Sequence, residues 1–223
     1  MLIEVCCPDL ASVHRAVEGG ADRIELCRDL ALDGLTPSRD DIREAVSICH
    51  ANGVKVHVLV RSREGDFVYN EVEVSQMSQE IIMSLEEGVD GIVIGALTKD
   101  GALDIPTCQK WIAVAREWQK EHADATELGI TFHRAFDVCS NPMQALEEII
   151  FMGCNRLLTS GQQPSAVQGI PMLKQLVEAS AGRLCILAGA GVSAENYMQI
   201  VNEAGVSEVH GSFKGGVPVR SFD

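Results

Sequence analysis

The sequence predicts an α/β fold, a (β/α)8 TIM barrel, on three observations. Short β-rich runs recur eight times, and the first seven are followed by longer amphipathic runs. The 223 residues are close to the usual length of such a barrel. A glycine-headed repeat opens every second strand, as a closed symmetric barrel allows. A doubly wound open sheet also fits the alternation; the repeat favours closure.

Strand one is the run 2–6, and helix 9–18 follows it with apolar residues at three-and-four spacing. The pairs continue as strand 23–27 with helix 38–51, strand 54–61 with helix 72–87, and strand 91–95 with helix 105–121. The second half repeats the pattern. Strand 129–133 precedes helix 142–152, strand 156–160 precedes helix 165–179, and strand 184–188 precedes helix 194–204, with Ser193 as its N-cap. Strand 207–211 is the eighth, and Phe222-Asp223 end the chain soon after. The eighth helix is therefore expected to be short or missing, unless the natural chain runs past Asp223. One domain is expected over residues 1–223.

The repeat begins at Gly20-Ala21-Asp22-Arg23-Ile24-Glu25 and returns at Gly88-Val89-Asp90-Gly91-Ile92-Val93. Gly153-Cys154-Asn155-Arg156-Leu157-Leu158 and Gly205-Val206-Ser207-Glu208-Val209-His210 complete it. Each is a helix-ending glycine, a short polar turn and a strand. Ile24, Ile92, Leu157 and Val209 are equivalent and face the helices, so residues of opposite parity face the barrel axis.

Those axial positions are unexpectedly polar. Parallel strands are normally near-continuous Val, Ile and Leu. Here Glu4, Glu25, Arg61, His133 and His210 fall on the inward side, and burying them unpaired would cost several kcal/mol each. A mutually paired cluster at the C-terminal mouth resolves this, with a carboxylate as base, His133 as proton-transfer partner and Arg61 as anion clamp. The plain alternative is an ion-pair network that plugs the barrel.

Late loops supply candidate anion donors. Thr159, Ser160 and Gly161 follow strand six, and Gly189 and Gly191 follow strand seven; their backbone N–H groups can approach an anion. Arg63, just past Arg61, joins them as an anion-binding candidate. No lysine lies in the C-terminal half of a strand, which disfavours a Schiff-base aldolase.

Eight cysteines occur without any C-x-x-C, so they read as free thiols. Cys6 and Cys27 each follow an inward glutamate by two residues, on neighbouring strands. In register they would meet at the mouth and suit a soft ion such as Cu(I). Otherwise they are small residues filling the last barrel layer.

Lys plus Arg number 18 and Asp plus Glu 32, a formal charge of −14. That disfavours a protein that grips nucleic acid through phosphates, and disfavours an anionic membrane surface. Glu4 interrupts the first apolar run, so no signal peptide is read, and the expected location is cytoplasmic.

Several blocks resemble the CutC copper-homeostasis family. They are Gly19 through Cys27, Gly34-Leu35-Thr36-Pro37-Ser38, Arg61-Ser62-Arg63-Glu64-Gly65-Asp66-Phe67-Val68-Tyr69, and Thr131-Phe132-His133-Arg134-Ala135-Phe136-Asp137. Leu158-Thr159-Ser160-Gly161 and Glu208-Val209-His210 continue a match that covers almost the whole chain. The resemblance implies a cytosolic TIM barrel, often a homo-oligomer, linked to copper tolerance. It implies Cys6 and Cys27 as copper ligands and Glu4, Glu25, Arg61, His133 and His210 as pocket residues. The chain departs from the family pattern at Asp33, at Ser62 and in Ala188-Gly189-Ala190-Gly191.

Two functions compete. One is copper homeostasis with Cu(I) at the mouth cysteines. The other is an acid/base isomerase or lyase-like enzyme acting on a small phosphorylated or carboxylated metabolite, with a divalent metal on Glu4, Glu25, His133 and His210 as a variant. A non-catalytic barrel acting through partners finds no direct support in the residues.

Overall fold

A computed structural model describes residues 1–122, 128–214 and 216–217. The elements run β1 (Leu2–Cys7), α1 (Leu10–Glu18), β2 (Arg23–Leu26), α2 (Arg39–His50), β3 (Lys55–Leu59), α3 (Glu71–Glu86), β4 (Gly91–Ile94) and α4 (Ile105–Glu121). They continue as β5 (Gly129–Phe132), α5 (Pro142–Phe151), β6 (Arg156–Thr159), α6 (Ile170–Ser180), β7 (Cys185–Ala188), α7 (Tyr197–Ala204) and β8 (Glu208–Gly211). The strands pair in chain order, all parallel, and β8 closes on β1. This is the expected TIM barrel, and closure excludes the open sheet. Among the described residues no α-helix follows β8, and no helix is long and apolar enough to cross a membrane.

Local chemistry starts the helices. The Asp9 side chain accepts the Ser12 N–H at 2.7 Å, and the Ser12 hydroxyl accepts the Asp9 N–H, a reciprocal cap for α1. Asn70 and Glu73 do the same for α3. Two helices begin later than their periodicity predicts. α6 starts at Ile170, where Pro171 presets the first turn, and residues 165–169 form turns instead. α7 starts at Tyr197 with Asn196, not Ser193, at the N-cap position; Ser193 instead opens the preceding turn through its carbonyl.

The glycine-headed repeat has a structural purpose. Gly20, Gly88, Gly153 and Gly205 all have φ between 75° and 85°, which only glycine adopts without strain. Two residues on, Asp22, Asp90 and Asn155 turn back to the preceding odd strand. Their side chains accept the N–H groups of Ile3, Val56 and Ile130 at 2.7–2.8 Å. Their own N–H groups donate to the carbonyls of the same three residues. These three repeats thus each tie the bottom ends of two strands together.

Ile24, Ile92, Leu157 and Val209 are fully buried in the layer between sheet and helices, as their parity predicts. Burying each such side chain contributes about 1.5–3 kcal/mol. Trp111 on α4 fills the same layer and donates its indole N–H to the Val74 carbonyl at 3.1 Å.

Inside the barrel, the floor is ionic. Arg23 pairs with Glu4 through Nε, and with Glu208 at 2.6 Å through Nη2; Arg156 reaches the same Glu208 oxygen at 2.9 Å. Above this floor, His57 occupies space vacated by two glycines. A Cβ on Gly91 would stand 2.5 Å from His57 Nε2, and one on Gly129 2.9 Å from its Cε1. Burial, and then the Arg23 charge, push His57 down to about 3, so the ring is neutral.

Candidate functional site

The mouth of the barrel opens into a cavity of about 490 Å³. Cys6, Glu25, Cys27, Arg61, His133 and His210 line it. The five polar residues expected to form one paired cluster divide into three environments.

Glu4 belongs to the floor. It is fully buried, held by Arg23 on one oxygen and by His210 Nδ1, at 2.7 Å, on the other. Burial opposes its charge, but the Arg23 guanidinium and His210 outweigh it and hold the carboxyl well below the usual carboxylate range. The plugging network therefore exists, but its arginines are Arg23 and Arg156, not Arg61. Arg23 shares the parity of Glu25 and Cys27, so the same reading that found those two residues could have found it.

Glu25, His210 and Cys6 converge. One donor atom from each lies within 4.8 Å of the others, and all three residues are buried. Glu25 Oε2 has no hydrogen-bond partner. Burial raises its carboxyl to about 7, with the His210 charge opposing that rise. Burial works against a charged His210, but Glu25, Cys6 and Glu4 hold its imidazole well above the ordinary value. Cys27 completes the group from the far side: its Sγ lies 3.9 Å from that of Cys6. The hydrogen bond to Cys27, followed by burial, holds the Cys6 thiol well above its ordinary value. All eight cysteines are free thiols.

Arg61 and His133 stand apart from this group. The Arg61 fork donates to the carbonyls of Leu32 at 2.8 Å, Gly34 at 3.1 Å and Gly65 at 2.8 Å, and its head lies 5.1 Å from the Phe67 ring centre. It fastens two loops of the mouth rather than pairing with Glu4 or Glu25. His133 Nδ1 accepts the Ala135 N–H at 3.1 Å, so the neutral ring carries its proton on Nε2, which is buried without a partner. Burial, and then the Arg61 charge, push His133 down to about 3. Near neutral pH it is therefore an N–H donor. Gly95 makes room for it: a Cβ there would stand 2.5 Å from the ring. The divalent set of Glu4, Glu25, His133 and His210 consequently does not form, because Glu4 lies beneath His210 and His133 is held in a separate environment.

The loop donors are already used. Asp137 accepts the N–H groups of Ser160 at 3.0 Å and Gln162 at 3.2 Å together with the Thr159 hydroxyl, and it pairs with Arg134 at 2.8 Å. The Gly161 N–H donates to Thr159 Oγ1, and the Gly189 N–H to the Thr159 carbonyl. The anion seat after strand six is thus filled by the protein's own carboxylate. Arg63 is spent on Glu73 at 2.6 Å and Asp66 at 2.8 Å and does not line the cavity. Gly191 does line it, as does Arg134, which the sequence reading left without a role.

The model of the CutC family matches residues 1–215. A CutC family protein of Vibrio parahaemolyticus is 47% identical over 212 residues, covering 95% of this chain and 81% of the relative. One from Pasteurella multocida is 44% identical over 215 residues, covering 96% and 83%. Among solved structures, the CutC of Streptococcus agalactiae, named for copper homeostasis, superposes with a TM-score of 0.87 at 33% identity, over 96% of this chain and 99% of that one. An aldolase, QR15, superposes with a TM-score of 0.64 at 17% identity over 95% and 89%, a likeness of fold alone.

Proposed function

The chain belongs to the CutC family, and from that premise we propose that it serves copper homeostasis by holding Cu(I) between Cys6 and Cys27. The observation that carries this is the pair of reduced sulfurs 3.9 Å apart at the base of an open mouth. Metal–sulfur bonds are about 2.3 Å for zinc, and two bonds of that order span this gap at a bent angle. Paired thiolates select a soft ion. The pair packs against apolar Leu59 and Val93.

The test is an anaerobic Cu(I) titration against a competing chelator. Tight stoichiometric binding, lost in Cys6→Ser/Cys27→Ser, supports the reading. Weak binding unchanged by the double substitution overturns it.

A second reading is favoured by the size and polarity of the cavity. About 490 Å³ is far more than one ion needs. The partnerless Glu25 Oε2 and His133 Nε2 suit a small phosphorylated or carboxylated metabolite, with Glu25 as acid/base near neutrality. Ligand-induced shifts in thermal unfolding across a panel of such acids, abolished by Glu25→Gln, would support it. A panel with no shift would count against it.

A further inference from the structure

We propose a second metal site, for a divalent ion of the zinc class, formed by Cys6 Sγ, the Glu25 carboxylate and His210 Nε2. It is distinct from the Cu(I) pair, with which it shares only Cys6.

Geometry comes first. The three donors come from adjacent strands β1, β2 and β8, and one atom of each lies within 4.8 Å of the others. Zinc binds sulfur at about 2.3 Å and nitrogen or oxygen at about 2.0–2.2 Å, so small side-chain rotations bring all three into one coordination shell. Donors mounted on barrel strands are held more rigidly than donors on loops.

An independent observation is the unmet valence of Glu25. Its Oε2 is fully enclosed and accepts no hydrogen bond. Buried polar atoms are nearly always satisfied, and a cation shared with the neighbouring thiol and imidazole would satisfy this carboxylate.

The layer beneath supports the same reading. His210 gives its Nδ1–H to Glu4, so Nε2 is the nitrogen left for Cys6, and a metal bound there would displace the Nε2 proton now shared with Cys6. Glu4 is in turn fixed by Arg23. A carboxylate behind a ligating histidine sets its ring orientation and raises its basicity. Once Cys6 is a thiolate, the ion's two charges balance those of Cys6 and Glu25 within the buried space.

The donor set decides the ion. One sulfur, one nitrogen and one carboxylate oxygen match zinc rather than Cu(I), which prefers sulfur alone. Three protein ligands leave a fourth position for water or a ligand oxygen from the cavity above. Because Cys6 serves both sites, the divalent ion and Cu(I) exclude each other.

The test uses the 223-residue chain, stripped of metal and kept anaerobic, with Co²⁺ as a spectroscopic probe. The expected spectrum has a thiolate-to-cobalt charge-transfer band and four-coordinate visible bands, and Zn²⁺ displaces both. Cys6→Ser removes the charge-transfer band, whereas Cys27→Ser leaves it. The nearly isosteric Glu25→Gln weakens Zn²⁺ binding by at least about tenfold, and Glu4→Gln, acting through His210, by about 10–100-fold. Cu(I) titrations on the same proteins separate the two proposals: Cys27→Ser loses Cu(I) alone, and Glu25→Gln loses the divalent ion alone. A six-coordinate cobalt spectrum without a thiolate band overturns the site even if every variant fails to fold. So does unchanged Zn²⁺ affinity in a folded Glu25→Gln.

Discussion

Cys6 and Cys27 touch through their sulfurs although their backbones are not opposite one another. Cys6 is paired with Glu25 in the sheet, so Cys27 sits two residues further along its strand. With strands about 4.8 Å apart and a rise of about 3.3 Å per residue, the two Cα atoms are about 8 Å apart. That exceeds the separation a disulfide tolerates without backbone movement. Mild oxidation of the folded protein is therefore expected to leave both thiols titratable. Alkylation and mass spectrometry check this; a native 6–27 cross-link would contradict it.

The Arg23–Glu4 pair is predicted to be costly to break from one side. Arg23→Met leaves a fully buried carboxylate without its guanidinium, a loss of about 3–5 kcal/mol in denaturant unfolding. Glu4→Gln combined with Arg23→Met is expected to recover part of that loss. A purely additive double-mutant cycle would refute the coupling.

Two buried neutral histidines predict an acid-sensitive fold. His57 and His133 are pushed from the ordinary 6.5 down to about 3, so on acidification the unfolded chain takes up protons before the folded one. Their contribution is complete above about pH 6.5 and is lost as pH falls towards 3, by about 1.4 kcal/mol per pH unit for each ring. Glu25, raised to about 7 against an ordinary 4.5, opposes this between those two values. A comparison of wild type with His57→Gln isolates one ring. Between pH 6 and 4 the wild-type stability is expected to fall more steeply, by about that slope. Parallel lines would disprove the assignment.

Asp137 acts as a built-in anion. Asp137→Ala frees the N–H groups of Ser160 and Gln162 together with Arg134. The variant is expected to lose about 1–3 kcal/mol, and inorganic phosphate should restore part of it. Wild type should gain less from phosphate. Equal responses in thermal unfolding would argue against a vacated seat.

The barrel was legible in the sequence because alternating strands and helices, together with the Gly-x-Asp turns, are local features. Residue parity also identified Glu4, Glu25, Cys6, Cys27 and His210 as inward-facing. The register between strands was not legible. Cys6 and Cys27, each two residues past a glutamate, looked in register, yet Glu4 pairs with Arg23 and Cys6 with Glu25. Strands in a barrel tilt, and the resulting stagger has no signature within any one strand. That stagger is why Arg61 is absent from the cluster and Arg23 is in it. The loop after β6 misled for a different reason: its filler comes from the loop after β5, a distance in sequence that no local motif records.

The floor of Glu4, Arg23, Glu208 and Arg156 makes the barrel a cup rather than a pipe. An ion or metabolite that enters past Arg61 and His133 must leave by the same rim. Handover to another molecule then requires that molecule to reach in from above while the first occupant is still seated. A chelator too bulky to pass the rim should strip the site slowly however tightly it binds, and a small one quickly.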